Sequence, residues 1–351
     1  MFTPSSNQNS RQEANKPKES SLSSGLFLGA YLELFGEYLK APDISEICIN
    51  EPGRLWIEKA GEPNFIDIDA PAITKEKLLR LARMVAAINH QSISKETPLL
   101  SASLKTGERI QIALPPAAPK GPAISIRKQV LQDLDLEDYE QMGAFNAKES
   151  IKSVHHNEDL QSLLDRGSIR EFLKKSVTSK KNILLSGGTS SGKTTFLNAL
   201  LKEIPAQERI VTIEDTVELI PHQKNHLCLL ASKGAQGIAK ISINDLLECS
   251  LRFRPDRILL GELRGSEAYT YLRAINTGHP GSITTIHADS PQRALSQLSL
   301  MIMQAGLGLK SDQIRAYCRE VIDIIIQLKR SSGRRFISDI QFLNKETSHH
   351  G

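Results

Sequence analysis

The sequence has few cysteines and little net charge. Its four cysteines are far apart and form no C-x-x-C pair; they are Cys48, Cys228, Cys249 and Cys318. This spacing excludes a zinc ribbon or a dithiol redox motif, and it predicts buried, reduced thiols. The net charge of +4, from 44 basic and 40 acidic residues, provides no overall positive field for nucleic acid or an anionic membrane. The small net charge does not exclude local basic patches.

Long apolar runs are also missing. No segment reaches the roughly 18 apolar residues of a transmembrane helix, and residues 1–20 lack the apolar core of a signal peptide. We therefore expect a protein that works in the cytoplasm or at the cytoplasmic face of a membrane. With 351 residues, 40% of them hydrophobic and 24% charged, the chain is long enough for two globular domains.

The sequence pattern of the N-terminal part predicts a disordered tail and then a small α+β domain. Residues 1–20 are polar and cannot bury enough apolar surface to become ordered. The domain, residues 21–128, begins with a helical pattern in LFLGAYLELFGEYL, followed by a hairpin whose strands EICIN and RLWIEKA flank Glu51-Pro52-Gly53. A helix is predicted near residues 75–90, and the strands RIQIAL and AISIRK flank the loop PPAAPKGP.

The C-terminal part predicts an α/β domain. Residues 129–179 indicate a long linker that ends in a helix within LLDRGSIREFLKKSV. From residue 180 to 351, helical stretches alternate with the short apolar runs NILLSG, RIVTIED, RILLGE, SITTIHA and VIDIIIQL. Strands that are buried on both faces have such runs, so we predict a mainly parallel sheet covered by helices.

A phosphate-binding loop stands at the start of this domain, where residues 187–194 fit G-x-x-x-x-G-K-[ST]. Glycines let backbone N–H groups surround the phosphates, the Lys193 ammonium reaches the β- and γ-phosphates, and the Thr194 hydroxyl ligates Mg²⁺. The following helix directs its positive end at the same anion. The motif indicates a nucleoside triphosphate without choosing the base. The predicted binding residues are Gly187, Gly188, Thr189, Ser190, Ser191, Gly192, Lys193, Thr194 and Thr195.

Two strand ends carry candidate catalytic carboxylates. Hydrolysis needs one carboxylate for the metal's water shell and another to orient the attacking water. The pair Glu214-Asp215 closes RIVTIED, and Glu262 closes RILLGE. We favour Glu262, with Thr194, for the Mg²⁺ shell and Glu214 for the water, and leave the reverse assignment open.

The stretch TGHPGSITTIHADSP contains His279 and His287. No third Cys, His or carboxylate follows at ligand spacing, which argues against a metal pair. His287 comes directly after the strand SITTI, so we expect it to touch the γ-phosphate and report its presence. His279 is as well explained as a core or capping residue.

Four motifs now stand in order: the phosphate loop 187–194, an acidic box 209–218, a Gly-Glu strand 257–264 and a histidine box 277–289. Together they resemble the hexameric secretion ATPases of type IV secretion, type II secretion and type IV pili. The tetracysteine insert of type II ATPases is absent, and no AIRNLIRE-like helix of retraction motors follows residue 291. The stretches GSITTIHADSP and GERIQIALPP…ISIRK instead look like the soluble, VirB-type ATPase of type IV secretion.

The resemblance implies a RecA-like C-terminal domain, bound ATP and Mg²⁺, and a homo-hexameric ring beneath the inner membrane. Such a ring contacts other components of the secretion apparatus and drives its assembly or the transfer of its substrate. Arg109 and Arg127 match the N-terminal arginines that reach the nucleotide in that family. Family analogy favours their own subunit's nucleotide, while the long linker keeps a neighbour's nucleotide open.

Several alternatives remain at this point. A pilus or DNA-uptake motor of the same superfamily fits the motifs, and a nucleotide-dependent switch or a metabolic kinase would also carry a phosphate loop. Direct nucleic-acid binding is left open. One cluster of arginines crowds the Gly-Glu strand and is expected either at the site or in ion pairs; it consists of Arg252, Arg254, Arg257 and Arg264.

Overall fold

The structure is a computed structural model that describes residues 32–128, 135–141, 145, 159–232 and 238–343. The predicted tail, residues 1–20, lies outside the described residues, as does much of the linker. Within the described residues, no helix combines the length and the apolar character needed to cross a membrane.

The N-terminal domain is a six-stranded antiparallel sheet packed against one long helix. The order of the strands is β3-β2-β1-β6-β5-β4. They are β1 Ile44–Ile49, β2 Arg54–Lys59, β3 Ile66–Asp69, β4 Leu99–Ser103, β5 Arg109–Ala113 and β6 Ala123–Arg127. The predicted hairpin is confirmed as β1–β2, and the two strands around PPAAPKGP are confirmed as β5–β6. Strands β3 and β4 were not predicted.

The predicted helix is confirmed as α2, Lys75–Ile88. It begins at Thr74, whose Oγ1 accepts a hydrogen bond from the Lys77 N–H. Its apolar residues recur on one face and are buried against the sheet. Before the sheet, the structure describes only the end of the first predicted helix, as a 3₁₀ turn Glu33–Phe35 and α1, Gly36–Lys40.

The segment before the C-terminal sheet contains α3, Leu136–Gln141, and two further helical pieces. Residues 159–165 form α4, and Ile169–Thr178 form α5. The helix predicted within LLDRGSIREFLKKSV is confirmed as α5, and it is separated from α4 because the chain turns at Gly167 with φ +72°. A left-handed backbone ends a helix, and glycine adopts it at little cost.

The C-terminal domain is a seven-stranded sheet with helices on both faces. Its strands are β7 Ile183–Gly187, β8 Ile210–Glu214, β9 His226–Leu230, β10 Arg257–Leu263, β11 Ile283–Ile286, β12 Ile324–Ser331 and β13 Arg334–Phe342. Its helices are α6 Lys193–Leu201, α7 Ile243–Ser250, α8 Glu267–Asn276, α9 Pro291–Met303 and α10 Ser311–Val321. All five predicted strands are present, whereas β9 and β13 were not predicted.

The strand order β13-β12-β7-β11-β10-β8-β9 places the phosphate-loop strand β7 inside the sheet. Every pairing is parallel except β12 with β13. Alternate residues of one strand enter different cores: Leu184 of β7 packs with the layer of α7–α10, and Ile183 packs with the layer of α5 and α6. Burial on both faces explains the continuous apolar runs, and the predicted fold class is confirmed.

The two domains share a core at the β9 edge of the C-terminal sheet. Alanines of the N-terminal domain, including Ala117, belong to the same buried cluster as β9 and α7. The Leu230 N–H donates to the Ala117 carbonyl at 2.8 Å, and Asn50 Nδ2 donates to Asn225 Oδ1 at 2.9 Å. The N-terminal domain therefore lies at the edge of the sheet opposite to β12 and β13.

Three of the four clustered arginines form ion pairs. Arg257 is fully buried and makes a bidentate contact with Glu208, at 2.6 and 2.9 Å. Arg254 pairs with Glu58 across the domain boundary, and Arg264 pairs with Glu262. Arg252 instead donates to the hydroxyl of Ser101 at 2.9 Å.

The four cysteines are free and buried, as their spacing predicted. Burial raises the pKa of the Cys249 thiol to about 12 and that of Cys48 to about 11. These thiols stay protonated at physiological pH, so they are poor nucleophiles and poor metal ligands.

Candidate functional site

The phosphate loop forms the floor of an open cleft of about 360 Å³, called here the phosphate cleft. It follows β7 directly, and α6 begins at Lys193, so a buried strand, a glycine-rich loop and a helix N-terminus meet at one point. Residues from four parallel strands reach this cleft because their carboxyl ends lie at one edge of the sheet. The lining residues are 189–195, Glu214, Asp215, Thr216, Glu218, Gly261, Glu262, Arg264, Thr285, His287 and Arg335.

Lys193 is held by the loop itself. Its Nζ donates to the carbonyl oxygens of Gly187, at 2.9 Å, and Gly188, at 3.3 Å. Burial lowers the pKa of the Lys193 ammonium, and the negative charge of Glu262 opposes this effect. A buried cation at the N-terminus of α6 is a strong site for an anion.

The loop also contains a buried hydroxyl without a partner. Ser191 Oγ makes no hydrogen bond to the described residues, although the side chain is buried. The next residue, Gly192, has φ +92° and precedes the first turn of α6. An unpaired buried donor beside free helix N–H groups is costly, and the oxygens of a bound phosphate would satisfy it.

Glu214 ends β8 with its carboxylate buried in the cleft. One oxygen, Oε1, accepts hydrogen bonds from the N–H groups of Glu218 and Leu219, at 2.8 and 2.9 Å. The other oxygen, Oε2, is buried and has no partner among the described residues. Burial raises the pKa of Glu214, and the two backbone hydrogen bonds oppose this effect. Glu214 is therefore a fixed carboxylate with one oxygen left for a ligand or a water.

Glu262 lies on β10, beside Glu214, and is bound on both oxygens. Arg264 Nε donates to Oε2 at 2.6 Å, and His287 Nε2 lies 2.6 Å from Oε1. Lys193 Nζ lies 3.4 Å from Nδ1 and 3.5 Å from Nε2 of the same ring. His287 thus links the lysine of the phosphate loop to the carboxylate of the neighbouring strand. Arg264 also pairs with Asp215 and so joins the ends of β8 and β10.

The oxygen atoms in this cleft fit Mg²⁺. Thr194, Glu214 and Glu262 line it together, and Glu214 Oε2 is without a partner. Among the residues described by the structure, no group of three or more His, Cys, Asp or Glu could hold a metal by itself. Mg²⁺ prefers oxygen ligands and usually relies on one or two carboxylates, waters and substrate phosphates, so this ligand set is suitable.

His279, the other histidine of its box, lies outside the cleft. Its Nδ1 is 2.9 Å from the carbonyl oxygen of Pro255, which requires the proton on that nitrogen. Burial lowers the pKa of His279, so the ring is neutral at physiological pH. This geometry matches the alternative in which His279 is a core or capping residue.

Arg109 and Arg127 do not reach the phosphate loop of their own chain. They line a second cleft, of about 440 Å³, between the N-terminal domain and the end of α7, called here the arginine cleft. Arg252 and Arg254 line the same cleft, and none of its lining residues belongs to the phosphate cleft. Within one chain the structure therefore separates these arginines from the other predicted site residues.

Sequence reasoning missed two groups at the phosphate cleft. Thr285 Oγ1 donates to the Gly261 carbonyl at 2.9 Å and ties the ends of β11 and β10 together. Arg335 comes from β13, a strand that was not predicted. The polar threonines inside the apolar run SITTI were a signal for the first, and the turn Ser332-Gly333 after the last predicted strand was a signal for the strand of the second.

Comparisons with known proteins identify the family of this chain. Residues 35–349 match the family model described as "Type II/IV secretion system protein". The chain is 40% identical over 327 residues to the type IV secretion system protein VirB11 of Bartonella henselae, covering 89% of this chain and 91% of that protein. It is also 40% identical over 328 residues to the type IV secretion system protein PtlH of Bordetella pertussis, with 89% and 94% covered.

A solved structure shares the fold at full length. The crystal structure of the VirB11 ATPase from the Brucella suis type IV secretion system, in complex with sulphate, superposes with a TM-score of 0.83. The two chains are 33% identical, with 93% of this chain and 97% of that chain covered. The resemblance drawn from the four sequence motifs is confirmed, and the chain belongs to the Type II/IV secretion system protein family.

Proposed function

We propose that this chain is an ATP-hydrolysing ring motor that energises the assembly of a type IV secretion system or substrate transfer through it. The observation that carries the proposal is the phosphate cleft, where Lys193, Thr194, Glu214, Glu262 and His287 meet at the ends of parallel strands. The relatives named VirB11 and PtlH, and the VirB11 ATPase structure, support the type IV assignment.

In the proposed reaction, the protein groups have separate tasks. The phosphate loop and Lys193 bind the triphosphate, and the unpaired Glu214 Oε2 orients the attacking water. Thr194 and Glu262 would hold Mg²⁺ together with the phosphates, with one of the Glu262 contacts to Arg264 or His287 exchanged for the metal, and the ion would supply positive charge to the β- and γ-phosphates. His287 connects Lys193 with Glu262, so it is placed to respond when the γ-phosphate is lost.

We also propose that the functional unit is a homo-hexamer at the cytoplasmic face of the inner membrane, in contact with other components of the apparatus. Its support is the separation of Arg109 and Arg127 from the phosphate cleft of their own chain. A head-to-tail ring can bring the arginine cleft of one subunit to the phosphate cleft of the next, because each subunit then presents two different surfaces.

Chromatography with nucleotide tests the ring. We expect the purified chain to elute with the mass of a hexamer in ATP and Mg²⁺ and to release phosphate under the same conditions. A monomer that hydrolyses ATP at full rate would contradict the ring motor and favour a nucleotide-dependent switch or a kinase. A protein that neither binds nor hydrolyses ATP would contradict the proposal as a whole.

Substitutions at the two carboxylates test their separate roles. Glu214→Gln keeps the acceptor for the Glu218 and Leu219 N–H groups but loses the charge on the unpaired oxygen. We expect turnover to fall by about 10²-fold or more while ADP affinity stays within a few-fold. Because burial raises the pKa of Glu214, the acid limb of the wild-type kcat/KM profile should lie above the ordinary glutamate range of about 4.3. Turnover is then lost as the pH falls through that limb.

The matching change, Glu262→Gln, should instead raise the Mg²⁺ concentration that gives half-maximal turnover. Glu203→Gln is the control, since its carboxylate is part of an exposed, 4.0 Å pair with Lys174. If Glu214→Gln shifts the Mg²⁺ requirement and Glu262→Gln does not, the two roles are the reverse of those proposed here.

A further inference from the structure

The hairpin β12–β13 extends beyond the end of the phosphate-loop strand. Leu328 of β12 is level with Gly187, the last residue of β7, and β12 continues to Ser331. Three further residues at about 3.3 Å each carry the hairpin roughly 10 Å past the strand end, over the phosphate loop. In this overhang, Arg335 of β13 lies opposite Arg330 of β12 in the antiparallel register of the two strands.

Arg335 packs on the glycine at the start of α6. A Cβ atom built on Gly192 would lie 2.8 Å from Arg335 Cδ and 3.4 Å from its Nε. Any side chain at position 192 would thus collide with the aliphatic part of the Arg335 side chain. Because residue 192 is glycine, Arg335 can lie directly on the loop. The Arg335 side chain lines the same cleft as Lys193 and Thr194.

Charge in the cleft is distributed unevenly. The acidic lining residues come from β8, the segment that follows it and β10, on one side of β7; they are Glu214, Asp215, Glu218 and Glu262. Arg264 is paired with Asp215 and Glu262. Arg335 enters from the other side, where β12 and β13 lie. Across the described part of the chain, no carboxylate forms an ion pair with Arg335.

We infer that Arg335 is a nucleotide-binding residue, which pairs with the phosphates from the side of the cleft opposite to Glu214 and Glu262. The inference rests on the proposed function of this cleft. An arginine without an acidic partner among the described residues, packed on the N-cap glycine of α6, is placed to meet an anion bound at that helix start. The guanidinium binds phosphate oxygens through two parallel N–H groups, which gives the phosphates a second cation besides Lys193.

This assignment connects the hairpin to the nucleotide. Arg335 and Lys193 belong to different elements, so a phosphate bound by both joins β13 to the start of α6. Because the guanidinium is exposed, its contribution should weaken as salt is raised. Binding of nucleotide is then expected to protect the amides of the β12–β13 overhang from hydrogen exchange.

The test compares neighbouring arginines of one hairpin. Arg335→Gln and Arg335→Lys are the test variants, and Arg334→Gln is the control, because Arg334 is exposed on the same strand and does not line the cleft. The probes are ADP and inorganic tripolyphosphate, measured by calorimetry at low salt. We expect Arg335→Gln to weaken both probes about tenfold, Arg335→Lys to weaken them less, and Arg334→Gln to stay within about twofold.

Each outcome separates the inference from the proposed function. Unchanged affinity of Arg335→Gln for both probes would overturn the inference while leaving the phosphate loop intact. Weakened ADP with unchanged tripolyphosphate would place the arginine on the base or ribose and so overturn the phosphate assignment. If the wild-type protein binds neither ADP nor tripolyphosphate, the proposed function itself fails. Thermal unfolding of all variants, expected to be equal, verifies that the hairpin is folded.

Discussion

A folded Lys193→Ala protein is expected to hydrolyse no measurable ATP, a loss of at least about 10³-fold. Lys193 supplies the buried cation of the phosphate loop, 2.9 Å from the Gly187 carbonyl and beside His287. Removing it leaves the charge of the β- and γ-phosphates uncompensated in the transition state, where such interactions contribute most. The measurement is steady-state phosphate release with saturating ATP and Mg²⁺.

The same substitution should leave stability nearly unchanged. Burial lowers the pKa of Lys193, so folding disfavours its charged form, and this cost is present below the folded pKa and disappears as the pH rises towards 10.5. Alanine removes that cost together with two hydrogen bonds to loop carbonyls, and the two effects oppose each other. A thermal midpoint within a few degrees of the wild type would show that the activity is lost at the site.

Lys202→Ala is the matched control, since Lys202 is an exposed lysine just after the end of the same helix. We expect it to hydrolyse ATP at the wild-type rate. Normal turnover by a folded Lys193→Ala protein would contradict the phosphate-loop assignment and, with it, the proposed function.

The sequence predicted the parts of the site that are continuous along the chain. Residues 187–194, the strand end at Glu214 and the strand end at Glu262 each combine a motif with an apolar strand. Parallel strands bring their carboxyl ends to one edge, so their meeting followed from the order of the elements. His287 was placed by the same reasoning, because it follows β11.

The missed elements have weaker patterns. Strand β13 reads RRFISDIQF, is largely exposed and lies at a sheet edge, where burial imposes no apolar run. Because the strand was missed, Arg335 could not be assigned to the cleft: its contact with Gly192 depends on the pairing of β13 with β12 and of β12 with β7. The pairing of β12 with β7 joins distant segments and leaves no local signal, whereas the two-residue turn Ser332-Gly333 between β12 and β13, with positive φ at both residues, was a hairpin signal that the sequence reasoning did not use.

Arg109 and Arg127 show a different limit. The resemblance indicated a role at the nucleotide, yet their position depends on how two domains are arranged, and the linker of residues 129–179 permits more than one arrangement. In this structure the N-terminal domain packs on the β9 edge through contacts such as Asn50 with Asn225. That packing keeps both arginines away from the phosphate cleft of their own chain, so we propose that they act on a neighbour's nucleotide, the arrangement that family analogy did not favour.

Mixing two inactive variants should therefore restore activity. Subunits carrying Arg109→Ala and Arg127→Ala lack the two N-terminal arginines of the arginine cleft, while Lys193→Ala subunits lack the phosphate-loop cation. Each ring alone is expected to lose about 10³-fold or more in kcat, since arginines that contact the γ-phosphate contribute about 10³ to 10⁵. If the arginines act on the next subunit, a mixed ring contains sites that combine an intact loop with intact arginines.

The expected size of the recovery follows from the geometry of a ring. In a one-to-one random mixture, about a quarter of the head-to-tail contacts pair an arginine-deficient loop donor with a lysine-deficient arginine donor. Turnover per site should thus approach about a quarter of the wild-type value, if sites act independently. Arg315→Ala subunits, altered at an exposed arginine of α10, mixed with Lys193→Ala subunits control for exchange and dilution.

The outcomes separate the two arrangements. If each chain completes its own site, no mixed ring contains an intact site, and activity stays absent at every mixing ratio. If the arginines cross the subunit boundary, activity peaks near equal amounts of the two variants. An arginine double variant with wild-type turnover would contradict both arrangements, because the second cleft would then take no part in hydrolysis. We expect the peak, because Arg109 and Arg127 line a cleft that shares no residue with the phosphate cleft of the same chain.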